Sequence, residues 1–279
     1  MRVNAHCAAC LWDKQQKRSQ HPDFLEETRK IIENRKEDDT APYLVYLFNQ
    51  AYAKYFGKVD SYRDIKRTYN DFVLTREQKI REKIQSSPDP LALSIGYARV
   101  GNYIDFGAMN HVDGDVLLDM LENVKLNEQD LKTYHSFAKQ CENAKRFLLV
   151  ADNCGEIVLD KLFLEQLSLR YPQLSMTVMV RESEVLNDAT MEDALYCGID
   201  RWADIVTNGS SVAGVVLGML TERSRKAIQQ ADVILSKGQG NYESLCGQGL
   251  HIFYSLLCKC ELFTERFQVP MLTGIFIEE

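Results

Sequence analysis

Residues 147–160 read FLLVADNCGEIVLD, and the rest of the chain is best read outward from this stretch. Five apolar residues, Phe147 to Ala151, give way at once to Asp152-Asn153-Cys154-Gly155-Glu156, after which Ile157, Leu164 and Leu167 return at helical spacing. A short continuous apolar run closed by turn formers has the pattern of a strand buried on both faces. Further short runs follow at Met176–Val180, Asp204–Val206, Val233–Leu235 and Ile252–Leu257, each separated from the next by a helical stretch. Alternation of buried strands and helices predicts an α/β fold, a mostly parallel sheet sandwiched by helices in three layers.

Upstream of residue 145 the periodicity is helical throughout. Phe24, Leu25, Thr28, Ile31 and Ile32 form one stripe, with Asp23 and Glu26 spaced as a capping box. Residues 42–56 are apolar nearly all round and stop at Gly57, a glycine C-cap. Tyr62, Ile65, Tyr69, Phe72 and Val73 start a stripe that continues at Ile80 and Ile84 and ends at Ser86-Ser87-Pro88-Asp89-Pro90. Further helices are expected near 90–100, 114–124 and 129–143. The chain therefore divides into an all-helical N-terminal portion or cap, 1–145, and an α/β domain, 146–279, expected to bind metal and phosphate. No flexible segment marks the boundary, which leaves open a change of layer within one compact unit.

The 279 residues carry 33 Lys and Arg against 40 Asp and Glu, a formal charge of −7. That balance, with no long basic tract, argues against nucleic acid or an anionic membrane as partner. The longest apolar stretches, at 43–48 and 212–220, fall short of the roughly 20 residues that a membrane span needs. His6, Trp12-Asp13-Lys14 and Arg18 interrupt any secretory core near the start, so a cytoplasmic protein with reduced thiols is expected. Of eight cysteines, Cys141, Cys197 and Cys246 read as small buried hydrophobes. Cys7-Ala8-Ala9-Cys10 and Cys258-Lys259-Cys260 are a candidate zinc or iron site if the chain ends meet, with His6 in reserve.

In open parallel sheets, ligands bind beyond the carboxyl ends of the strands. Three successive strand ends offer suitable groups here. Asp152-Asn153 follows the first strand, and Asn187-Asp188 follows the second, after Arg181-Glu182-Ser183. Carboxylate and amide oxygens are hard donors suited to magnesium or manganese. After the fourth run comes Ser236-Lys237-Gly238-Gln239-Gly240-Asn241-Tyr242-Glu243, in which glycines admit an anion and Lys237 carries a positive charge. Lys237 is not placed as in a Walker A loop. Each feature has a bland alternative: Asp and Asn are common turn formers and helix caps, Glu156 complements a helix dipole, and Lys-Gly is a frequent solvated turn. Lys66 and Asn70 share a helical face. His21, His111, His135 and His251 have no ligand-like spacing.

The segments LVADNCGEIVLD, VRESEVLNDATMEDA and ADVILSKGQGNYESL closely resemble three motifs of the damage-control phosphatase family, also catalogued as domain of unknown function 89. GNYIDFGAMN at 101–110 is similar to that family's Gly-Asn-x-Ile-Asp-Phe segment. CAAC with the late CKC resembles its CxxC-bearing, largely prokaryotic subfamily. The resemblance implies a metal-dependent phosphatase of small phosphorylated metabolites, sugar phosphates or damaged phosphometabolites, using manganese, cobalt, nickel or magnesium. It implies Asp152, Asn153 and Asp188 as metal ligands and catalytic groups and Lys237 as a phosphate contact. Gly238, Glu156, Asn102 and Asp105 join Lys237 as expected substrate-side residues. Cys154 stands where relatives carry a small alanine. Two other readings stay open. One is an S-adenosylmethionine-dependent methyltransferase, although the first loop offers it only Gly155; the other is a non-catalytic protein organised by cysteine-bound metal. Oligomeric state is not encoded in any of these motifs.

Overall fold

Phe147, Leu148, Leu149 and Val150 are each at most 1% exposed, because strand β1 (Arg146–Val150) runs through the middle of a sheet covered on both faces. The computed structural model describes residues 1–57, 61–105 and 112–279. Phe106 to Asn110 of the GNYIDFGAMN segment, and His111, lie outside the described residues. Among those described, the sheet has six strands in the order β3-β2-β1-β4-β5-β6, with β2 at Ser175–Val180, β3 at Asp204–Thr207, β4 at Val233–Lys237, β5 at Phe253–Leu257 and β6 at Gly274–Glu278. All neighbours pair in parallel except β5 and β6. The β-strand period of two divides the core. Phe147 and Leu149 join one apolar cluster, Leu148 and Val150 the other. Helices cover each face, which gives the three layers expected.

Among the described residues eight helices precede the sheet: α1 (Ala5–Arg18), α2 (Pro22–Glu33), α3 (Ala41–Phe56), α4 (Arg63–Leu74), α5 (Glu77–Gln85), α6 (Pro90–Gly101), α7 (Gly114–Glu122) and α8 (Glu128–Asn143). Five more alternate with the strands: α9 (Glu156–Arg170), α10 (Met191–Cys197), α11 (Glu222–Gln230), α12 (Gln239–Leu245) and α13 (Glu261–Phe267). Side chains of α4 to α8 pack into the same apolar cluster as Phe147, Leu149 and α9, so the core runs on across residue 145. None of the helices among the described residues is long and apolar enough to cross a membrane.

Two local readings are corrected and two elements are added. Helix α2 begins at Pro22 with His21 as N-cap and no side-chain cap, which places Asp23 inside the first turn rather than in a capping box. The stripe over 61–85 is two helices, broken at Thr75-Arg76, where the Thr75 and Arg76 amides each bond back to a Val73 or Asp71 carbonyl. Helix α1 is an addition: its mixed, mostly polar face carries little periodic signal, and Asn4 caps it by accepting from the Cys7 amide at 2.8 Å. Strand β6 is also an addition, and it closes the sheet edge antiparallel to β5. Gly57 does terminate α3, at φ +83°.

Strand order decides where a site can form. β1 has β2 on one side and β4 on the other, so the connections from β1 and β4 leave the sheet in opposite directions. A crevice opens between them at the carboxyl ends. Asp152 follows β1, Arg181 follows β2, and Lys237 ends β4.

Candidate active site

Two loops meet at this crevice through their backbones. Asn153 and Asp188 form an isolated antiparallel bridge. The Cys154 amide donates to Asn187 O at 2.8 Å and the Ala189 amide to Asp152 O at 2.7 Å. The bridge fixes Asp152, Asn153 and Asp188 side by side although the first and the last lie 36 positions apart in sequence numbering. All three are buried, at 7%, 1% and 4% exposure.

Their side chains are held by a continuous polar network. Asp152 Oδ2 accepts from Asn153 Nδ2 at 2.7 Å and from Asn102 Nδ2 at 2.9 Å. Both amide nitrogens also donate to Glu156 Oε2, each at 3.1 Å. Asn102 is delivered by the C-terminal end of α6, and its Oδ1 accepts from the Leu257 amide at 3.1 Å. Arg181, fully buried, spans the two acids: its Nε lies 2.7 Å from Asp188 Oδ2 and its Nη2 3.4 Å from Asp152 Oδ1. Asn241 accepts from Arg181 Nη1 at 3.0 Å and donates to the carbonyls of Ala151 and Lys237.

Glycine is required at two turns. Gly155 precedes α9 at φ +68°, with its amide donating to Asn70 Oδ1 at 2.6 Å, and an added Cβ would lie 2.6 Å from Ile104 Cδ1. Gly238 has φ +78°, and a Cβ there would collide with the Asp152 carboxylate. Its amide donates to Ser255 O at 3.0 Å, so Gly238 contributes space rather than a donor.

Sequence reasoning placed Lys237 at the phosphate. In the structure its ammonium is fully buried and donates to Ala98 O at 2.9 Å, Glu156 Oε1 at 2.6 Å and Asp160 Oδ1 at 2.8 Å. Among the described residues its ammonium reaches the Asp152 loop through Glu156. Asp105 pairs instead with Lys259, whose Nζ lies 2.6 Å from its Oδ2, and its charge is felt by both Asp152 and Asp188. Arg181, Asn241, Asp160 and Lys259 were missed. Asp160 was visible as an acid one turn beyond Glu156 in a helix whose intervening residues are all apolar. Lys259 was masked by the two cysteines around it.

Charge balance provides the test for an ion. Asp105, Asp152, Glu156, Asp160 and Asp188 face Arg181, Lys237 and Lys259: five acids against three cations, a formal surplus of two negative charges when every acid is ionised, in a nearly dry site. Burial, then the charges of Asp188, Glu156 and Asp105, push the Asp152 carboxyl well above the ordinary range against the pull of Arg181. Burial likewise pushes Asp188 up to about 6, with Arg181 opposing it. Two carboxylates, an amide oxygen and this surplus fit a hard divalent cation.

The cysteines are only partly gathered. His6 pairs with Glu261 at 3.4 Å, so the chain ends do meet, and the Cys7 thiol feels the charges of Cys10 and Cys260. Cys258 faces the apolar layer instead, with its Sγ 3.9 Å from Phe263 O. No three His, Cys, Asp or Glu side chains among the described residues form a group that holds an ion. Cys141 and Cys197 are buried as expected, whereas Cys246 is half-exposed and donates to Glu279 Oε2 at 3.2 Å.

A cavity of about 660 Å³ lies between α4 and α10, lined by Arg63, Lys66, Asn70, Glu182, Thr190 and Tyr196 among others. Lys66 is buried there against Asp193 at 2.5 Å, and Asp188 feels its charge.

The family model of the damage-control phosphatase ARMT1-like domain matches residues 3–273. The chain belongs to this family. A damage-control phosphatase of Archaeoglobus fulgidus is 30% identical over 246 residues, covering 85% of this chain and 82% of the relative. One from Pyrococcus horikoshii is 25% identical over 282 residues, 97% and 96% of the two chains. An uncharacterized protein of Methanocaldococcus jannaschii is 28% identical over 263 residues, 91% and 86%. A crystal structure of a DUF89 family protein from P. horikoshii shares the fold at a TM-score of 0.77 and 23% identity, with 99% of each chain covered.

Proposed function

We propose that the chain is a metal-dependent phosphatase hydrolysing phosphomonoesters of small metabolites, such as sugar phosphates or damaged phosphometabolites. The observation that carries this reading is the two-charge surplus of acid around Asp152 and Asp188 at the crevice of the sheet. Membership of a family whose curated relatives include damage-control phosphatases supports it. A divalent ion, manganese, cobalt, nickel or magnesium, supplies electrophilic stabilisation of a phosphoryl oxygen when bound. Asp152, Asn153 and Asp188 hold it, and Arg181 keeps the two carboxylates apart and oriented.

On the substrate side, residues 146–279 supply the ion and phosphate groups, while the helical portion 1–145 caps them through Asn102 and Asp105. Lys259, held by Asp105, brings the positive charge that a phosphoryl group needs as its own charge spreads in the transition state. The cavity between α4 and α10, walled by Lys66, Asn70 and Thr190, takes the organic part of the ester. A screen of phosphomonoesters against added metals tests the reading, with orthophosphate release as readout. Asp152→Ala and Asp188→Ala should each lose nearly all metal-dependent release. Undiminished turnover in either variant would remove these residues from the site.

A further inference from the structure

We infer that Lys237 and Asp160 form a positioning pair that holds Glu156 against Asn153 and Asn102, and that Lys237 does not contact the substrate phosphate. The inference rests on the metal-phosphatase reading above and deepens it.

An ammonium group has three N–H donors, and Lys237 commits all three, to Ala98 O, Glu156 Oε1 and Asp160 Oδ1. Nothing of its side chain is exposed, and Glu156 and Asp160 are sealed equally. With two carboxyl groups to one ammonium, the unit has no positive charge to spare and, with both acids ionised, a net negative one. Such a unit repels a phosphate dianion and favours a cation nearby.

Its contacts point the same way. Glu156 Oε1 is held by Lys237, which leaves Oε2 to accept from Asn153 Nδ2, the Asn153 amide and Asn102 Nδ2. Those same two side-chain amides donate to Asp152 Oδ2. With its nitrogen committed in this way, Asn153 presents its amide oxygen as the ion donor. Ala98, the third acceptor, stands one turn before Asn102 on α6, so Lys237 also ties down the helix end that delivers Asn102. Asp160 Oδ2 is buried without a hydrogen-bond partner among the described residues. Burial of an unmatched acceptor is unfavourable, and Asp160 touches neither Asp152 nor Asp188; its function on this structure is to share the Lys237 charge and so set where Glu156 lies.

The test separates ion affinity from phosphate affinity. Manganese binding is measured by calorimetry on chelator-treated protein, and the KM for a phosphomonoester is measured at saturating manganese. Asp160→Asn, which is isosteric, should weaken manganese binding about threefold to tenfold and leave the KM unchanged. Lys237→Met should weaken manganese binding in the wild-type background but barely change it in a Glu156→Gln background, where the charge it serves is gone. That double variant removes one charge of each sign, which leaves the net charge of the buried unit unchanged if Lys237→Met alone fails to fold. Unchanged manganese affinity in Asp160→Asn, or a raised KM on Lys237→Met in both backgrounds, overturns the inference and returns Lys237 to the phosphate. Absence of manganese binding by the unmodified protein would instead count against the metal-phosphatase reading itself.

Discussion

At the scale of single residues, the site depends on how tightly the Asp152 carboxylate is confined. Gly238 leaves the space this carboxylate occupies, and a methyl group there would have to displace it. Gly238→Ala should therefore fold, with some loss from the positive φ, yet bind manganese at least tenfold more weakly in calorimetry; wild-type affinity would show that the carboxylate is not the ion's ligand. Arg181 is the second point of control. Removing a buried partner leaves uncompensated charge at a typical cost of about 3–5 kcal/mol, so Arg181→Met should lower stability by an amount of that order in chelator. Added manganese should recover part of it, as read by denaturant unfolding. Asp152, Asn153 and Asp188 were legible in the sequence because strand ends of parallel sheets are where ligand groups belong. The destination of Lys237 was not. It is fixed by Asp160, and α9 turns that acid toward the end of β4 only once the helix is packed on the sheet.

Among elements, the strands of the parallel sheet were readable because each is apolar on both faces and bounded by polar turns. The N-terminal helices were readable where one apolar stripe persists. What escaped has physical reasons. Helix α1 buries only Ala8, Leu11 and Gln15, too few positions to mark a face. Strand β6 follows the short turn at 268–273 after α13 and pairs antiparallel at an edge, where Gly274 and Glu278 frame only three apolar residues. The break at Thr75-Arg76 was hidden because Tyr69, Phe72, Ile80 and Ile84 keep a helical repeat across it. The central strand bears most directly on the site, since the Asp152 backbone continues from β1. Leu149 is fully buried there, and Leu149→Ala should cost about 2–5 kcal/mol in urea unfolding; a loss below about 1 kcal/mol would mean that this face of the sheet repacks around the cavity.

For the whole molecule, the surplus of buried acid links stability to both pH and metal. Burial pushes Asp188 up to about 6 in the folded chain, from its ordinary 3.8, and raises Asp152 as well. Between those two values the folded protein holds the Asp188 proton more firmly than the unfolded chain does. The Asp188 contribution to the stability of the chelated protein therefore falls as pH rises from about 4 through about 6, then levels off once that group is ionised in both states, while Asp160 and Glu243, pushed by burial up to about 7, carry the fall further. A divalent ion opposes this fall, because it binds the ionised carboxylates of the folded state and competes with their protons. The rise in Tm produced by manganese should thus be small at pH 5 and grow until about pH 7, with the steepest change near pH 6. Paired thermal melts in chelator and in manganese across that range measure it. The same profile in Asp188→Asn should lose the step near pH 6 as well as most of the metal-induced rise. A manganese effect that is constant from pH 5 to 7 in the unmodified protein would place the ion away from these two carboxylates.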